Sequence, residues 1–502
     1  MTDTSRPLLT FAMVTRGASS DDLGATIGTL VAQTDSRWEL LAVDEDGSAP
    51  FGSDDPRVRR TVSSGPLAAD MLADTLAAAA GDLYAVLDPG DLLLEDAVAT
   101  VLEAAAPDVD LLYTDELVLG DGPTSGVFRK PVWSPERLRG QLYTGRLTVL
   151  RTEAARTAGG FDAALDGAHE HDLVLRVTEA GGPVVRVPSV LCHRPPRHQT
   201  EHEQAQGVRA VQAHFDRIAL GAHVSVGASS GTYVLRRTLD PLTTVSVVIP
   251  TRGSSGFVWG DRRCFVVEAV RSLLAHTRHG ALEIVVVHDS VTPPEVLDEL
   301  REIAGGRLVL REFSGAFNFS EKCNLGYLAS SGSVVVMLND DVEVVSDDFV
   351  EQLVAPLAEP TVGMTGAYLM FPDQTVQHAG HTYHDGIMSH GYLGTPDTSP
   401  GEHGALLVNR ETSGLTAACV ALRRGVFESI GGFSEQLPVN FNDVDLSLKV
   451  RALGYRNVWL QNVRAFHFES RTRQRLVHEW ELDLVYARWD VRHEDLYMPG
   501  ID

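Results

Sequence analysis

The strongest constraint on the fold of this chain is an internal repeat that spans most of its 502 residues. Three segments of the first half recur in the second half, and each pair shares a motif, such as Gly-Gly-Phe or an apolar run that ends in Thr-Arg-Gly. The matched segments are 7–17 with 244–253, 77–98 with 328–350, and 159–181 with 431–454. Because the matches keep one order, the sequence predicts two copies of one fold.

Each copy alternates β-type runs with helical periodicity. In the second copy, Val245–Pro250, Glu283–Val287 and Val334–Leu338 are rich in β-branched residues, and Cys264–His276 carries one apolar helical stripe. This alternation predicts an α/β fold with doubly wound sheets, in which ligands bind at the carboxyl ends of the strands. The chain length suits two such domains. The predicted division is 1–235, 236–475 and a short helical tail at 476–502.

Composition excludes several classes of protein. The chain has 68 acidic and 42 basic residues, a net charge of −26, and no Lys/Arg-rich run, so we expect no nucleic-acid binding. Its four cysteines show no CxxC spacing, which disfavours a disulfide framework or a structural zinc site. No apolar run reaches the roughly 18 residues of a membrane-spanning helix, and Met1–Pro7 lacks the pattern of a signal peptide. We therefore expect a cytoplasmic protein.

Two adjacent carboxylates, Asp340 and Asp341, follow the apolar run at 334–338. At the carboxyl end of a strand, such a pair can hold Mg²⁺ or Mn²⁺, because these ions favour oxygen ligands and also accept phosphate oxygens. Asn and Asp are equally typical of a turn, in which they form hydrogen bonds with the nearby backbone. These residues alone leave both interpretations open.

Three further positions have two interpretations each. Asp443 and Asp445 open a predicted helix, where acidic residues are stabilised by the helix dipole; alternatively, Asp443 is a general base that deprotonates an attacking hydroxyl. His467, between two phenylalanines, is either a core residue or a ligand. Asn324 lies in a segment whose polar groups either meet a sugar or a diphosphate, or cap a helix.

The second copy carries seven motifs that are more specific together than alone. They are FNFSEKCNLG (317–326), GSVVVMLNDDVEV (332–344), FPDQTVQHAG (371–380), TAACVALRR (416–424), GGF (431–433), FNDVDLSLKVRALGYRNVW (441–459) and FHFES (466–470). In this order they resemble the family 2 glycosyltransferases of the GT-A fold. The resemblance is strongest to two-domain bacterial enzymes of cell-surface polysaccharide synthesis, of the O-antigen and rhamnosyltransferase type. The ending ARWDVRHEDLYMPG (487–500) resembles the Arg-Trp…Tyr-x-Pro ending of that family.

The resemblance implies a role for each residue that matches a family motif. Asp341 and His467 would hold the metal on the donor diphosphate, with Asp340 beside them, and Asp443 would be the catalytic base. The residues implied to contact the donor are Thr251, Arg252, Asp289 and Asn324. One departure concerns the end of the second strand, where the family has Asp-Asn/Asp-Gly-Ser and this chain has His288-Asp289-Ser290. The group that meets the base or ribose is therefore left unassigned.

The reaction implied is an inverting transfer. Mn²⁺ or Mg²⁺ would offset the charge that builds on the departing nucleoside diphosphate. Asp443 would deprotonate the acceptor hydroxyl, and a single displacement would invert the anomeric carbon. The implied donor is a UDP-, dTDP- or GDP-sugar, and the implied acceptor is a lipid-linked or polymeric saccharide. A lipid-linked acceptor would bring the protein to the inner face of the cell membrane.

The first copy is predicted to be degenerate. An offset of 251, counted from Gly81 and Gly332, aligns Asp341 with Gly90, so the implied metal ligand is missing unless a shift of the turn brings Asp91 into its place. The same offset aligns Asn324 with Ala73. Glu170 and His193 occupy the positions of the base and of the late histidine. We expect this copy to pack against the second or to hold the growing saccharide rather than to transfer sugar.

Two other functions compete with sugar transfer. Sugar nucleotidyltransferases place a Gly-rich, Arg-containing loop that ends in Lys after the first strand, and residues 251–256 resemble that loop only faintly, with no suitable Lys following. A catalytically inactive GT-A scaffold or polysaccharide-binding protein is the stronger alternative. It is disfavoured because the second copy keeps Asp341, Asp443 and His467 together.

Overall fold

A computed structural model describes residues 8–45, 52–120, 125–468 and 477–501. Residues 1–7, 469–470, 476 and 502, which belong to sequence features discussed above, lie outside the described residues. The chain divides into two compact units. Unit 1 comprises Met1–Ala219, Val224–Leu235 and Glu402–Val408, and unit 2 comprises Leu220–His223, Arg236–Gly401 and Asn409–Asp502. The main break falls between Leu235 and Arg236.

The first half of the chain forms nine strands and seven helices within its described residues. They are β1 (Leu9–Val14), α1 (Ser20–Val31), β2 (Trp38–Asp44), β3 (Val58–Val62), α2 (Ala68–Ala78), β4 (Leu83–Val86), β5 (Leu92–Leu93), α3 (Ala97–Ala104), β6 (Leu111–Val118), β7 (Gly126–Phe128), α4 (Pro135–Gly140), β8 (Thr148–Arg151), α5 (Thr152–Thr157), α6 (His169–Glu179), β9 (Val184–Arg194) and α7 (Glu201–Arg217). A two-stranded ribbon follows: β10 (Ala222–Val226) and β11 (Tyr233–Arg237).

The second half forms the remaining elements. They are β12 (Val245–Thr251), β13 (Ser255–Val258), β14 (Asp261–Cys264), α8 (Phe265–Ala275), β15 (Leu282–Asp289), α9 (Pro294–Ala304), β16 (Leu308–Phe313), α10 (Phe319–Ala329), β17 (Val334–Leu338), β18 (Val342–Val344), α11 (Phe349–Val354), β19 (Val362–Met370), β20 (Val376–His378), β21 (His381–His384), β22 (Ile387–His390), β23 (Arg410–Thr412), β24 (Cys419–Arg423), α12 (Arg424–Ser429), α13 (Asn442–Ala452), β25 (Arg456–His467) and α14 (Glu479–Arg488). The three strands and the helix predicted in this copy are confirmed to within two residues.

The two units contain sheets of the same topology. The strand order is β3-β2-β1-β4-β8-β6-β9-β5 in unit 1 and β16-β15-β12-β17-β24-β19-β25-β18 in unit 2. In each sheet the first four strands are parallel, and the fifth is antiparallel to the fourth. The predicted fold class, two α/β units with doubly wound mixed sheets and a short helix near the C-terminus, is confirmed.

A repeated glycine marks the start of the fourth strand in both units. A Cβ atom at Gly332 would lie 2.6 Å from the backbone nitrogen of Ser246, and one at Gly81 would lie 2.7 Å from that of Thr10. Only glycine permits this approach of the fourth strand to the first. The buried faces of the sheets consist largely of Val, Leu and Ile, as strands covered on both faces require. Among the described residues, every helix is too short or too polar to cross a membrane.

Candidate active site

A cavity of about 900 Å³ is present in unit 2. It lies where the chain leaves β12 and β17, the edge at which doubly wound sheets bind ligands. Six of the eight residues singled out from the sequence line it: Thr251, Arg252, Asp340, Asp341, Asp443 and His467. Asp289 and Asn324 are not among the lining residues.

Asp340 is held against the end of β12. Thr251 Oγ1 donates a hydrogen bond to Asp340 Oδ2 at 2.6 Å, and the Gly253 amide donates to Thr251 Oγ1 at 2.9 Å. Burial and the adjacent charge of Asp341 raise the pKa of Asp340 to about 7. A cation in the cavity would keep both carboxylates ionised, because it offsets the repulsion between them.

Strand pairing brings His467 to Asp341. β18 runs antiparallel to β25 with Val342 opposite His467, and the Phe468 amide donates to the Asp341 carbonyl at 3.0 Å. His467 Nε2 lies 3.1 Å from Asp341 Oδ1. Burial disfavours the charged form of Asp341, but the positive charge of His467 outweighs this effect and lowers the pKa of Asp341.

The orientation of the His467 ring fits a metal ligand. Its Nδ1–H donates to Gln377 Oε1 at 2.7 Å, which leaves Nε2 facing Asp341, with Asn339 Nδ2 at 3.3 Å. Histidines that bind metals commonly donate their other ring N–H to such an acceptor. The Asn339 side-chain oxygen is buried and accepts no hydrogen bond. When the His467 ring is neutral, Nε2 and Asp341 Oδ1 are two acceptors only 3.1 Å apart, and this pair of atoms suits a shared proton or a divalent metal ion.

Asp443 is the second residue of α13. The preceding Phe441 has a φ of 57°, a left-handed conformation that is uncommon for a side chain of this size and typical of functional sites. Asp443 Oδ1 accepts from the Val444 amide at 2.9 Å, and Oδ2 accepts from the Ala417 amide at 3.3 Å. The N-cap of α13 is Phe441, and Asp443 lies in the first turn, where its Oδ1 satisfies the backbone amide of Val444. Its carboxylate faces the cavity.

Asp445, the other acidic residue of this motif, has a structural environment. Its side chain is fully buried and forms ion pairs with Lys449 at 2.8 Å and Arg488 at 3.2 Å. The indole N–H of Trp489 also donates to Asp445, at 3.0 Å. Asp445 thus ties α13 to the segment around α14, whereas Asp443 faces the cavity.

Lys322 is a cavity residue that the sequence analysis missed. Its buried ammonium group donates to the Thr251 carbonyl at 2.7 Å and to Asp289 Oδ1 at 2.8 Å. Arg252, whose side chain is 63% exposed, lies 4.0 Å from the same carboxylate. Asp289 therefore balances the charge of a lysine on the cavity wall. The position of Lys322 inside FNFSEKCNLG was the available signal.

Asn324 makes structural contacts instead of lining the cavity. Its Nδ2 donates to the Phe433 carbonyl and to Glu435 Oε1, each at 3.0 Å, and its Oδ1 accepts from the Phe433 amide at 3.0 Å. These bonds fasten α10 to the Gly431-Gly432-Phe433 turn. The donor contact that the resemblance implies for Asn324 stays a prediction.

The corresponding turn of unit 1 is one residue longer than the offset of 251 assumes. Leu92 pairs with His193 as Val342 pairs with His467, so Asp91, not Gly90, occupies the position of Asp341. The alignment of Asp341 with Gly90 is therefore wrong. Residues 87–91 separate β4 from β5, and residues 339–341 separate β17 from β18. Leu87 corresponds to Leu338, the last residue of β17, so four residues of unit 1 face three residues of unit 2.

An arginine fills the acidic site of unit 1. Arg146 forms ion pairs with Asp88, with Asp91 at 3.4 Å and with Glu170 at 3.0 Å. Burial opposes its charge, but these carboxylates outweigh that effect and raise the pKa of Arg146. The counterpart of Arg146 in unit 2 is Ala418. Arg146 lies five residues before Arg151, which pairs with Leu83 at the start of the fourth strand. Ala418 lies five residues before Arg423, which pairs with Val334 at the start of the fourth strand of unit 2.

Comparison with known proteins identifies part of the chain. Residues 246–431 match the family described as Glycosyl transferase family 2. The O-antigen biosynthesis protein RfbC of Myxococcus xanthus is 33% identical over 493 residues, which are 93% of this chain and 38% of that protein. The uncharacterized protein y4gI of Sinorhizobium fredii (strain NBRC 101917 / NGR234) is 31% identical over 497 residues, 92% of this chain and 54% of that protein. The chain thus spans about two fifths to one half of the length of these relatives.

Solved structures resemble the chain only distantly. The crystal structure of GalNAc-T7 with UDP, GalNAc and Mn²⁺ is 16% identical, covers 47% of this chain and 45% of that chain, and has a TM-score of 0.38. The mannosyltransferase PcManGT from Pyrobaculum calidifontis, in complex with GDP-Man and Mn²⁺, is 19% identical, covers 48% and 61%, and has a TM-score of 0.33. The sequence match is more specific: residues 246–431, most of which belong to unit 2, match the Glycosyl transferase family 2 domain.

Proposed function

We propose that unit 2 transfers a sugar from a nucleotide-diphosphate sugar to a saccharide acceptor in the synthesis of a cell-surface polysaccharide. The proposal rests on the convergence of Asp341, His467 and Asp443 on one cavity of a Glycosyl transferase family 2 domain. A volume of about 900 Å³ is within the range of small-molecule sites. The name of the RfbC relative supports the polysaccharide class.

The residues around Asp341 fit a divalent cation. Asp341 and His467 would hold Mn²⁺ or Mg²⁺, with Asp340 and the amide oxygen of Asn339 beside them. When bound, the ion would neutralise charge that builds on the departing nucleoside diphosphate. Gln377 fixes the imidazole so that Nε2 faces the ion position. Lys322 lies on the same cavity wall, where Asp289 balances its charge.

Asp443 is the proposed base. Its carboxylate faces the cavity and is held by two backbone amides, which fix its position without supplying a proton. In this position it would accept the proton of the acceptor hydroxyl as that oxygen attacks the anomeric carbon. A single displacement assisted by one base inverts the anomeric configuration, unlike the two-carboxylate route of retaining glycosidases.

We propose that unit 1 does not transfer sugar. The carboxylates at its turn and at the position of the base already bind the guanidinium of Arg146. A divalent ion would have to displace that guanidinium before it could bind these groups. Holding the growing saccharide is the role that we propose for this unit.

The donor and the acceptor are proposed by class only. Thr251 and Arg252, on the cavity wall at the end of β12, would face the nucleotide of a UDP-, dTDP- or GDP-sugar. The acceptor would be a lipid-linked or polymeric saccharide. With a lipid-linked acceptor, the protein would work in the cytoplasm at the inner face of the cell membrane.

Release of nucleoside diphosphate tests this proposal. Purified protein is incubated with UDP-, dTDP- and GDP-sugars, with Mn²⁺ or with EDTA, and the anomeric configuration of any product is read by proton NMR. We expect release with one nucleotide, loss of release in EDTA, and an inverted product. A retained product would contradict the single displacement. No release with any donor would favour an inactive scaffold or a polysaccharide-binding protein.

A further inference from the structure

Three histidines meet on the wall of the cavity that carries Asp443. His378 ends β20, and His381 and His390 face each other across the β21–β22 hairpin. Directly opposed residues of an antiparallel pair project from the same face. The ring centroids of the three side chains lie 4.8 to 5.2 Å apart, and His381 and His390 line the cavity.

The spacing of these rings also suits a transition-metal ion, since one nitrogen of each lies within 4.8 Å of the others. Hydrogen-bond direction argues against a metal. His378 Nε2 accepts from the Thr416 amide at 3.1 Å, so the proton of the neutral ring is on Nδ1. In a metal-bound histidine the remote nitrogen donates instead, as His467 does to Gln377. His378 therefore has the wrong tautomer for a ligand.

The same bond sets the direction of a short hydrogen-bonded chain. His378 Nδ1–H donates to His390 Nδ1 at 2.7 Å, which places the proton of neutral His390 on Nε2. Burial, together with the neighbouring His390, lowers the pKa of His378 well below its usual value. His378 thus remains neutral at physiological pH, and the chain keeps its direction from Thr416 to His390.

His381 connects this pair to Asp443. Its Nδ1 is buried and has no hydrogen-bond partner, so its proton is on Nε2, which lies 3.7 Å from Asp443 Oδ2. Burial lowers the pKa of His381, although the charge of Asp443 opposes that effect. A neutral N–H therefore faces the Asp443 carboxylate.

From this geometry we propose that His381 and His390 form the subsite that binds the hydroxyl groups of the saccharide acceptor. His390 Nε2–H donates to an acceptor oxygen, and Asp443 receives the proton of the attacking hydroxyl. His378 is a positioning residue, because it fixes the tautomer of His390. The N–H group of His390 and the carboxylate of Asp443 together suit a sugar, because its hydroxyl groups both donate and accept hydrogen bonds. This inference rests on the function proposed for unit 2.

Acceptor kinetics test the subsite. Nucleoside diphosphate release is measured with the active donor while a panel of alkyl glycosides is titrated, and the glycoside that accelerates release most is kept. We expect His390→Leu to raise the KM for this glycoside about tenfold with a smaller effect on kcat, because one hydrogen bond is lost. His390→Gln keeps an N–H donor and should recover most of that loss. His384→Leu, on the same hairpin but not among the cavity-lining residues, is the matched control and should match the wild type.

Three results would overturn the proposal. The first is a wild-type KM in His390→Leu. The second is loss, in His390→Leu, of the thermal shift that the donor alone causes. The third is one zinc ion per chain in the purified protein that His390→Leu removes. Absence of nucleoside diphosphate release from the wild type with every donor is a different result, since it contradicts the function proposed for unit 2. Histidine ¹⁵N NMR adds an independent check, in which we expect Nδ1–H on His378 and Nε2–H on His390.

Discussion

The main sheets of units 1 and 2 have eight equivalent strands in the same order. The two units differ in the residues of the turn that follows the fourth strand of the sheet. In unit 2 the turn carries Asp340 and Asp341, and Asp341 faces His467 at the cavity. In unit 1 the turn is one residue longer, and its carboxylates bind Arg146. Glu170 occupies the position of Asp443, the second residue of its helix, and binds the same guanidinium.

The comparison shows that a shared fold and a retained set of carboxylates do not preserve a site. One difference lies just before the antiparallel fifth strand, where Arg146 of unit 1 corresponds to Ala418 of unit 2. The methyl group of Ala418 leaves room at the cavity, whereas Arg146 brings an internal cation that satisfies three carboxylates. Unit 1 thus has an ion-pair cluster at the position where we propose that unit 2 binds an exchangeable cation.

The largest expected difference between the units concerns the two base positions. Asp443→Asn should lower kcat for transfer by about 10²- to 10⁴-fold, because a general base contributes that much. Glu170→Gln in unit 1 should leave the rate within about twofold. Steady-state release of nucleoside diphosphate measures both. A large loss in Glu170→Gln would mean that unit 1 takes part in catalysis.

Ala418→Arg should convert the site of unit 2 into that of unit 1. The new guanidinium would pair with Asp340 and Asp341, and we expect transfer to fall by about 10²- to 10³-fold, as when one stabilising group is removed from an active site. Ala418→Met is the matched control, since it adds similar length without charge. An equal loss in both variants would show that bulk, not charge, is responsible.

Arg146→Met should destabilise unit 1. Three carboxylates would lose their shared cation, and breaking a buried ion pair costs about 3–5 kcal/mol of unfolding free energy. Hydrogen exchange in peptides of unit 1 measures the loss. Transfer by unit 2 should be unchanged at a temperature where unit 1 stays folded. Unaltered exchange in unit 1 would contradict the role given to this cluster.

The smallest effect is expected at Asn324. Asn324→Ala removes three hydrogen bonds to the Phe433–Glu435 turn and should cost about 1–3 kcal/mol of stability. Affinity for the donor should be unchanged, because Asn324 is not among the cavity-lining residues. Thermal melting and donor titration separate the two effects. A tenfold loss of donor affinity with unchanged stability would instead support the donor contact implied by the sequence.

Sequence patterns predicted the repeated fold because buried parallel strands and amphipathic helices carry their own periodicity. Motifs also indicated Asp341, Asp443 and His467, since these residues lie at element ends that the fold brings together. Lys322 and Gln377 were missed, because their roles depend on contacts between distant segments. The turn at Asp91 was misaligned, since an inserted residue becomes visible only when strand register is known.

The central claim is that the exchangeable metal and donor site belongs to unit 2. It is tested most directly by thermal melting with UDP-, dTDP- and GDP-sugars, with and without Mn²⁺, of the wild type, Asp341→Ala and Asp91→Ala. Binding to the folded state raises the melting temperature, so no acceptor is needed. We predict an Mn²⁺-dependent shift with one donor that is lost in Asp341→Ala and kept in Asp91→Ala. A shift that survives Asp341→Ala, or disappears in Asp91→Ala, would contradict the account.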